Sequence, residues 1–145
     1  MNTYDQDHAA WAEEQARLLR MGKLDAVDIE HVAEELEAIM GNDRRELYRR
    51  FRVLIAHLLK WDYQPEHRSL SWEATIRVQR DDIANLLGES PSLKRFVTEK
   101  INAAYPKAVE LASLETGLPK AGFPSSCPYT ESEILDESFW PGKHP

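Results

Sequence analysis

The chain has a single cysteine and no long apolar run, and both shortages exclude classes of protein. With Cys127 alone, no disulfide and no cysteine-based zinc site can be assembled within one chain. No apolar run approaches the roughly 18 residues that a membrane-spanning helix needs. Residues 1–5 have neither the basic start nor the apolar stretch of a signal peptide, so we expect a cytoplasmic protein that does not contact membranes.

Signature motifs of the well-marked enzyme classes are also missing. The sequence has no Gly-rich phosphate loop, no nucleophile-elbow pattern and no His-Glu-x-x-His zinc helix. Nothing near Cys127 in the sequence supplies the base that a nucleophilic thiol needs, so a passive buried thiol is expected. These absences favour a non-enzymatic protein without a cofactor or metal, although an enzyme of an unmarked class stays open.

The composition is that of a folded domain with an uneven charge distribution. Hydrophobic residues make up 42% of the 145 residues and charged residues 30%, which is typical of globular proteins. The net charge of −7 disfavours general nucleic-acid binding. Residues 43–80 differ from this average, because they carry nine Lys/Arg and five Asp/Glu.

Apolar residues recur at three- and four-residue steps along most of the chain, which predicts an all-α fold. No segment shows the two-residue alternation of a half-buried strand. We predict one helical domain over 1–145, with a bundle of about five helices in 1–115 and a wrapping tail in 116–145. The predicted helices cover 4–20, 26–40, 42–61, 72–87 and 91–111, the last kinked or broken at Pro106.

The second and third predicted helices should form an antiparallel hairpin. Gly41 can take the left-handed conformation that stops a helix, and Asn42 can cap the next one. A turn as short as Gly41-Asn42 favours antiparallel neighbours. The apolar stripe of the second helix should then be buried; its members are Ile29, Val32, Ala33, Leu36 and Met40.

The last thirty residues combine many prolines with many large apolar side chains. They hold five of the eight prolines, which predicts little regular structure. A disordered tail would lack apolar residues such as Phe123, Tyr129 and Trp140, so this segment should wrap the bundle. Thr130 and Glu133 have the spacing to cap one short helix over 131–136.

The first candidate site is a polar cluster formed by His31, Glu34, Glu35 and His57, with Asp28 and His8 nearby in the predicted bundle. Histidine and carboxylate side chains three residues apart share a helical face and can pass a proton or bind a metal. On a helical wheel, however, His31 and Glu34 lie nearly opposite the apolar stripe, so a solvated or salt-bridged face is the favoured interpretation.

The second candidate site is a basic stripe on the third helix. Arg45, Arg49 and Arg52 follow a four-then-three spacing with Lys60 nearby, and such a stripe could bind anions such as nucleic-acid phosphates. Pairing with acidic side chains of the second helix explains most of the same charges, so nucleic acid is a disfavoured partner.

The third candidate site is an aromatic rim formed by Trp61, Tyr63 and Trp72 around a short polar loop. Large aromatic side chains anchor many binding interfaces. The two tryptophans also lie on the apolar faces of their helices, and closing the end of the bundle is the favoured role.

Several short motifs along the chain resemble a known family. They are His31-Val32-Ala33-Glu34-Glu35-Leu36-Glu37, His57-Leu58-Leu59-Lys60-Trp61-Asp62-Tyr63-Gln64-Pro65-Glu66, Ser71-Trp72, Thr75-Ile76-Arg77 and Cys127-Pro128-Tyr129. In this order they resemble the bacterial domain-of-unknown-function family 29 over essentially the whole chain. The resemblance implies a helical fold and implies no activity or catalytic residue.

The favoured function is therefore a non-enzymatic interaction or regulatory module that binds a protein partner or forms a homo-oligomer. The first alternative is an enzyme or metal-binding protein that uses the His/Glu cluster of the second and third helices. The second alternative is a nucleic-acid-associated protein that uses the basic stripe.

Overall fold

The computed structural model describes residues 3–142 and confirms the all-α fold class. Within those residues there is no strand, and no helix is both long and apolar enough to cross a membrane. Four short 3₁₀ segments, Leu24–Ala26, Pro65–His67, Pro91–Phe96 and Lys120–Gly122, lie between the helices. The helices are α1 (Thr3–Gln6), α2 (His8–Arg20), α3 (Ile29–Tyr63), α4 (Leu70–Glu89), α5 (Val97–Thr116) and α6 (Glu131–Leu135).

The chain divides into two compact units, residues 1–42 and residues 43–145, which we call unit 1 and unit 2. The organisation of the whole chain as one domain stays a prediction.

The predicted hairpin at Gly41-Asn42 is wrong, because both residues lie inside the continuous helix α3. The glycines with positive φ among the described residues are Gly22, Gly117 and Gly142, so Gly41 does not take the left-handed conformation that ends a helix. A glycine inside a helix costs only about 1 kcal/mol relative to alanine, which is too little to stop a helix on its own. Gly88 likewise lies inside α4 instead of ending it.

Unit 1 contains α1, α2, the turn Leu24–Ala26 and the first part of α3. The helix predicted over 4–20 is interrupted at Asp7, whose carboxylate accepts a hydrogen bond from the Ala10 backbone N–H at 3.0 Å and caps α2. Few side chains of this unit are buried; the apolar ones are Trp11 and Leu18.

The prediction that the apolar stripe of residues 29–40 is buried is wrong for its largest members. Ile29 is 68% exposed and Leu36 is 63% exposed. The physical reason is that α3 continues through Gly41 instead of folding back as a hairpin. The polar side of the same helix is the side that contacts α1 and α2, as the hydrogen bonds of Glu35 and Asp28 show.

Unit 2 has a dense apolar core around the second half of α3. Large side chains with no exposed surface come from α3, α4, the segment Pro91–Phe96 and α6; they include Phe51, Leu54, Leu58, Ile83, Leu93 and Ile134. Of the predicted kink or break at Pro106, the break does not occur, because α5 continues past Pro106 to Thr116. Pro106 and Asn102 are both exposed, so water can reach the Asn102 carbonyl that lacks a helical donor.

The tail contacts helices of unit 2 through specific hydrogen bonds, as the wrapping prediction requires. The Tyr105 hydroxyl donates to the Pro124 carbonyl at 2.6 Å, and Arg80 Nε donates to the Ile134 carbonyl at 2.8 Å. The predicted short helix is confirmed as Glu131–Leu135, with a capping box between Thr130 and Glu133.

Candidate functional site

A hydrogen-bonded polar cluster in unit 1 begins with Asp28, the residue before α3. Its carboxylate accepts from the His31 backbone N–H at 3.4 Å, as the short side chain at a helix start commonly does. Asp28 Oδ2 also lies 2.7 Å from His31 Nδ1. The three-residue spacing on one helical face brings the carboxylate and the imidazole together.

A second carboxylate, Glu35, lies on the same side of α3 and ties it to α1 and α2. Its Oε1 accepts from the Tyr4 hydroxyl at 2.7 Å and lies 2.7 Å from His8 Nε2. Since Glu35 follows His31 by four residues, the two side chains are neighbours on the helix surface.

Aromatic rings pack between these polar groups. The Tyr4 ring stacks on the His31 ring with centroids 3.9 Å apart and an interplanar angle of 14°. Trp11 Nε1 donates to Asp28 Oδ2 at 3.1 Å, and the Gln15 side-chain oxygen accepts from the Asp28 backbone N–H at 2.7 Å. Tyr4, His8, Trp11, Asp28, His31 and Glu35 therefore form one network, which we call the polar cluster.

The pairings in the polar cluster shift the pKa values of its members. The hydrogen bond from His31 lowers the pKa of the Asp28 carboxyl, and the same contact raises the pKa of the His31 imidazole. The hydrogen bond from Tyr4 lowers the pKa of Glu35, and the bond to Glu35 raises the pKa of Tyr4 to about 12. Both carboxylates are thus stabilised in their charged form.

Of the four residues predicted as a polar cluster, two belong to the observed cluster and two lie elsewhere. His31 and Glu35 belong to it, whereas Glu34 is exposed. His57 belongs to unit 2, where its Nδ1 lies 2.9 Å from the Val53 carbonyl oxygen and burial lowers its pKa. No group of three or more His, Cys, Asp or Glu side chains among residues 3–142 could hold a metal ion.

Two aromatic members, Tyr4 and Trp11, were not predicted as site residues. The sequence signal was their placement on one stripe of the first helix, with His8 beside it. Nothing in the sequence shows that Asp28 and Glu35 meet that stripe.

The basic stripe is divided between different environments. Arg49 and Arg52 line a surface groove of about 340 Å³ together with Glu46 and Arg50. Lys60 does not share this exposed stripe, because it is only 3% exposed and its Nζ lies 2.7 Å from Glu115 Oε2.

Acidic side chains also neutralise Arg50, which lines that groove. Arg50 was not in the predicted set, and it pairs with Glu46 at 3.0 Å and with Asp82 at 2.9 Å. Anion binding at Arg45, Arg49 and Arg52 stays a prediction.

The three aromatic rim residues contact different parts of unit 2. Trp61 packs against Trp140 of the tail with centroids 4.8 Å apart, and Tyr63 packs against Phe123 at 5.2 Å. Trp72 lies under the Lys60 ammonium at 4.7 Å. These intramolecular contacts agree with a packing role, and binding at this rim stays a prediction.

Cys127 is half-buried in unit 2, and burial raises the pKa of its thiol. Its Sγ lies 3.5 Å from the Tyr129 carbonyl oxygen. A thiol with a raised pKa is a poor nucleophile at neutral pH.

An exposed apolar groove of about 300 Å³ lies on unit 1, where the end of α2, the turn Leu24–Ala26 and the start of α3 meet. We call this surface the apolar face. Every residue that lines it is apolar; they are Leu19, Leu24, Val27, Ile29, Val32, Ala33 and Leu36. Four of them, Ile29, Val32, Ala33 and Leu36, belong to the stripe of residues 29–40 that the sequence predicts as core.

Comparison with known proteins identifies a family without identifying an activity. The sequence model described as "Domain of unknown function DUF29" matches residues 3–140. No curated protein and no solved structure matches the chain.

Proposed function

Since the chain belongs to the DUF29 family, whose description assigns no activity, we propose from its geometry that it is a non-enzymatic helical interaction module that binds a protein partner through the apolar face. The observation that carries this proposal is the exposure of large apolar side chains in unit 1. Leu24 is 61% exposed, Ile29 68% and Leu36 63%. A cytoplasmic location is part of the same proposal.

Such exposure is unfavourable for an isolated protein. Full burial of a leucine or isoleucine side chain stabilises a protein by about 1.5–3 kcal/mol. Leaving three of them exposed therefore omits several kcal/mol of hydrophobic stabilisation. Single exposed leucines are common and need no explanation, whereas contiguous apolar patches mark interaction sites. The seven residues of the apolar face are contiguous because they line one groove.

The polar cluster supports the proposal by holding the groove in shape. Glu35 bonds Tyr4 and His8, and Asp28 bonds Trp11, so the cluster fixes α3 against α1 and α2. Both walls of the groove come from elements that these bonds connect. A preformed surface loses less conformational entropy on binding than a flexible one.

The proposal is tested by site-specific photo-crosslinking in cells. A photo-reactive phenylalanine analogue at position 36 should crosslink to a partner, and the same analogue at position 70 is the matched control. Leu70 is 83% exposed but lies on α4 of unit 2, outside the apolar face. The crosslinked product should form only when the analogue is at position 36.

The crosslinked protein is then purified and titrated against the full chain. Leu36→Glu should weaken its binding at least tenfold, because a carboxylate in an apolar interface is desolvated without a partner. Leu70→Glu should bind like wild type. Equal crosslinking from both positions, or equal affinity of both variants, contradicts the proposal.

A second candidate function, a proton-transferring enzyme, has one specific observation in its favour. Asp28 lies 2.7 Å from His31 Nδ1, and a carboxylate so placed orients an imidazole to act as a base through Nε2. Chromogenic ester and phosphate substrates test it with wild type and His31→Asn. Turnover that falls at least a hundredfold in the variant supports the candidate; no turnover, or equal turnover, opposes it.

A further inference from the structure

The charge of the chain is concentrated in the unit that carries the apolar face. Residues 1–42 contain three Lys/Arg and ten Asp/Glu, a balance of −7, whereas residues 43–145 contain fifteen of each, a balance of zero. The whole net charge of −7 therefore belongs to unit 1. A partner that docks on this unit approaches a strongly negative surface.

A border of glutamates on α3 adjoins the apolar face at Glu30 and Glu37 and continues at Glu34 toward the opposite side of the helix. Glu30, Glu34 and Glu37 follow a four-then-three spacing, which puts them on one side of α3. Ala33 of the apolar face stands three residues after Glu30 and four before Glu37, so it adjoins this border. We call the three glutamates the acidic edge.

The carboxylates of the acidic edge are accessible to a partner. All three side chains are exposed, and no ion pair joins any of them to another residue within 3–142. This contrasts with Glu35 on the same helix, whose carboxylate bonds Tyr4 and His8. Cations placed above the edge would pair with carboxylates that make no ion pair or side-chain hydrogen bond within residues 3–142.

The shape of the apolar stripe fits one helix. Exposed apolar side chains on α3 continue from Ile29 through Leu36 to Ile39, which is 58% exposed. The ten helical steps from Ile29 to Ile39 span about 15 Å, or roughly three turns. An amphipathic helix that lies in such a groove anchors side chains at i, i+3 or i+4, and i+7 over this length.

A second copy of the chain is disfavoured by the same charges. Two apposed faces would bring together two units that each carry a charge of −7. Like-charge juxtaposition at an interface costs several kcal/mol. The anionic surface of a lipid bilayer would meet the same repulsion.

We propose that the apolar face binds a basic amphipathic helix of another protein, whose apolar side chains fill the groove while its Lys or Arg side chains pair with the acidic edge. This inference rests on the proposed function and adds the chemistry of the partner to it. It predicts which charges the partner carries without naming the partner.

The test uses the full chain and three fluorescein-labelled peptides of 18 residues, followed by fluorescence anisotropy. One is a helical Leu/Lys peptide with leucine on one face, the second replaces every lysine by glutamate, and the third scrambles the Leu/Lys order. The Leu/Lys helix should bind at least tenfold more tightly than either of the others, with an affinity that falls as salt is added.

Two triple variants show whether the acidic edge is responsible. Glu30→Gln/Glu34→Gln/Glu37→Gln should weaken the Leu/Lys helix about tenfold and flatten its salt dependence. The control Asp81→Asn/Glu89→Gln/Glu99→Gln removes the same charge from exposed positions of unit 2 and should bind like wild type. Circular dichroism verifies that both variants fold.

The outcomes separate this inference from the proposed function. If the Leu/Lys and Leu/Glu helices bind equally and Leu36→Glu weakens both, the partner chemistry is refuted while the interaction module stands. Equal weakening by both triple variants, or no binding of the Leu/Lys helix, also refutes the inference. A dimer in light scattering that Leu36→Glu dissociates would identify a second copy as the occupant and refute it as well.

Discussion

Leu18 and Leu36 both belong to unit 1, and their replacement by alanine should have very different consequences. Leu18 is 7% exposed and Leu36 is 63% exposed. A leucine-to-alanine change removes three carbon groups, each worth about 0.8 kcal/mol when fully buried. Leu18→Ala should therefore cost about 2–3 kcal/mol once the cavity is included. Leu36→Ala should cost less than about 1 kcal/mol, because only about a third of its surface is covered and no cavity forms.

The measurement is urea unfolding followed by ¹⁹F NMR of 5-fluorotryptophan-labelled protein. Trp11 is the only tryptophan of residues 1–42, so its resonance reports the unfolding of unit 1 separately from the other three. We expect the Trp11 transition to move strongly to lower urea in Leu18→Ala and only slightly in Leu36→Ala. Complete loss of the folded Trp11 resonance in Leu18→Ala would agree with the same reasoning if unit 1 is marginally stable.

Equal destabilisation by the two changes would refute the reasoning. It would mean that Leu36 is buried in solution, as its place in the helical stripe predicted. The apolar face would then be part of the core. Neither the proposed interaction module nor the proposed basic helix would have an exposed surface on which binding could occur.

Three further predictions concern pH, helix propensity and a buried charge. The raised pKa of His31 adds stability that is fully present below about pH 6.5 and is lost as pH rises through the pKa of His31 in the folded protein. The lowered pKa of Asp28 adds stability that is present above about pH 3.8 and is lost as pH falls through the pKa of Asp28 in the folded protein. His31→Asn should thus abolish the loss of Trp11-monitored stability above pH 6.5, and an unchanged profile would contradict this. Gly88→Ala should raise the free energy of unfolding by about 0.5–1 kcal/mol, because Gly88 is helical and an added Cβ would meet open space. An unchanged or lower free energy of unfolding in urea would contradict this prediction. Glu115→Ala should destabilise unit 2 more than Lys60→Met, because only Glu115→Ala leaves the 3%-exposed Lys60 ammonium without its carboxylate. The reverse order in urea unfolding would show that the Lys60 ammonium does not need this carboxylate for stability.

Features that depend on neighbours in the sequence were predictable. The short helix Glu131–Leu135 has its capping box between Thr130 and Glu133, and Ser69 caps α4 by accepting from the Trp72 backbone N–H. Such contacts join residues three positions apart, so the local pattern contains all the information they need. The same holds for the pairing of Asp28 with His31.

Long-range partners were not predictable from one sequence. Tyr4 meets Glu35 across 31 residues, and Lys60 meets Glu115 across 55. Each of these side chains could equally be solvated, and the periodicity of the sequence does not distinguish a solvated side chain from one with a distant partner. The sequence prediction therefore has a solvated or salt-bridged face at His31 and Glu35 and places Lys60 near the basic stripe, without naming Tyr4 or Glu115 as partners.

The amphipathic character of residues 29–40 could be read from the sequence, because a 3.6-residue repeat of apolar side chains belongs to the local chain. Which side of that helix is covered depends on the fold. The helix runs on through Gly41, and its polar side lies against α1 and α2, where Trp11 donates to Asp28 and Tyr4 donates to Glu35. Ile29 and Leu36 are therefore left in contact with water. Amphipathicity defines an apolar side, but burial of that side requires a second surface, and the position of a second surface is not a property of the local sequence.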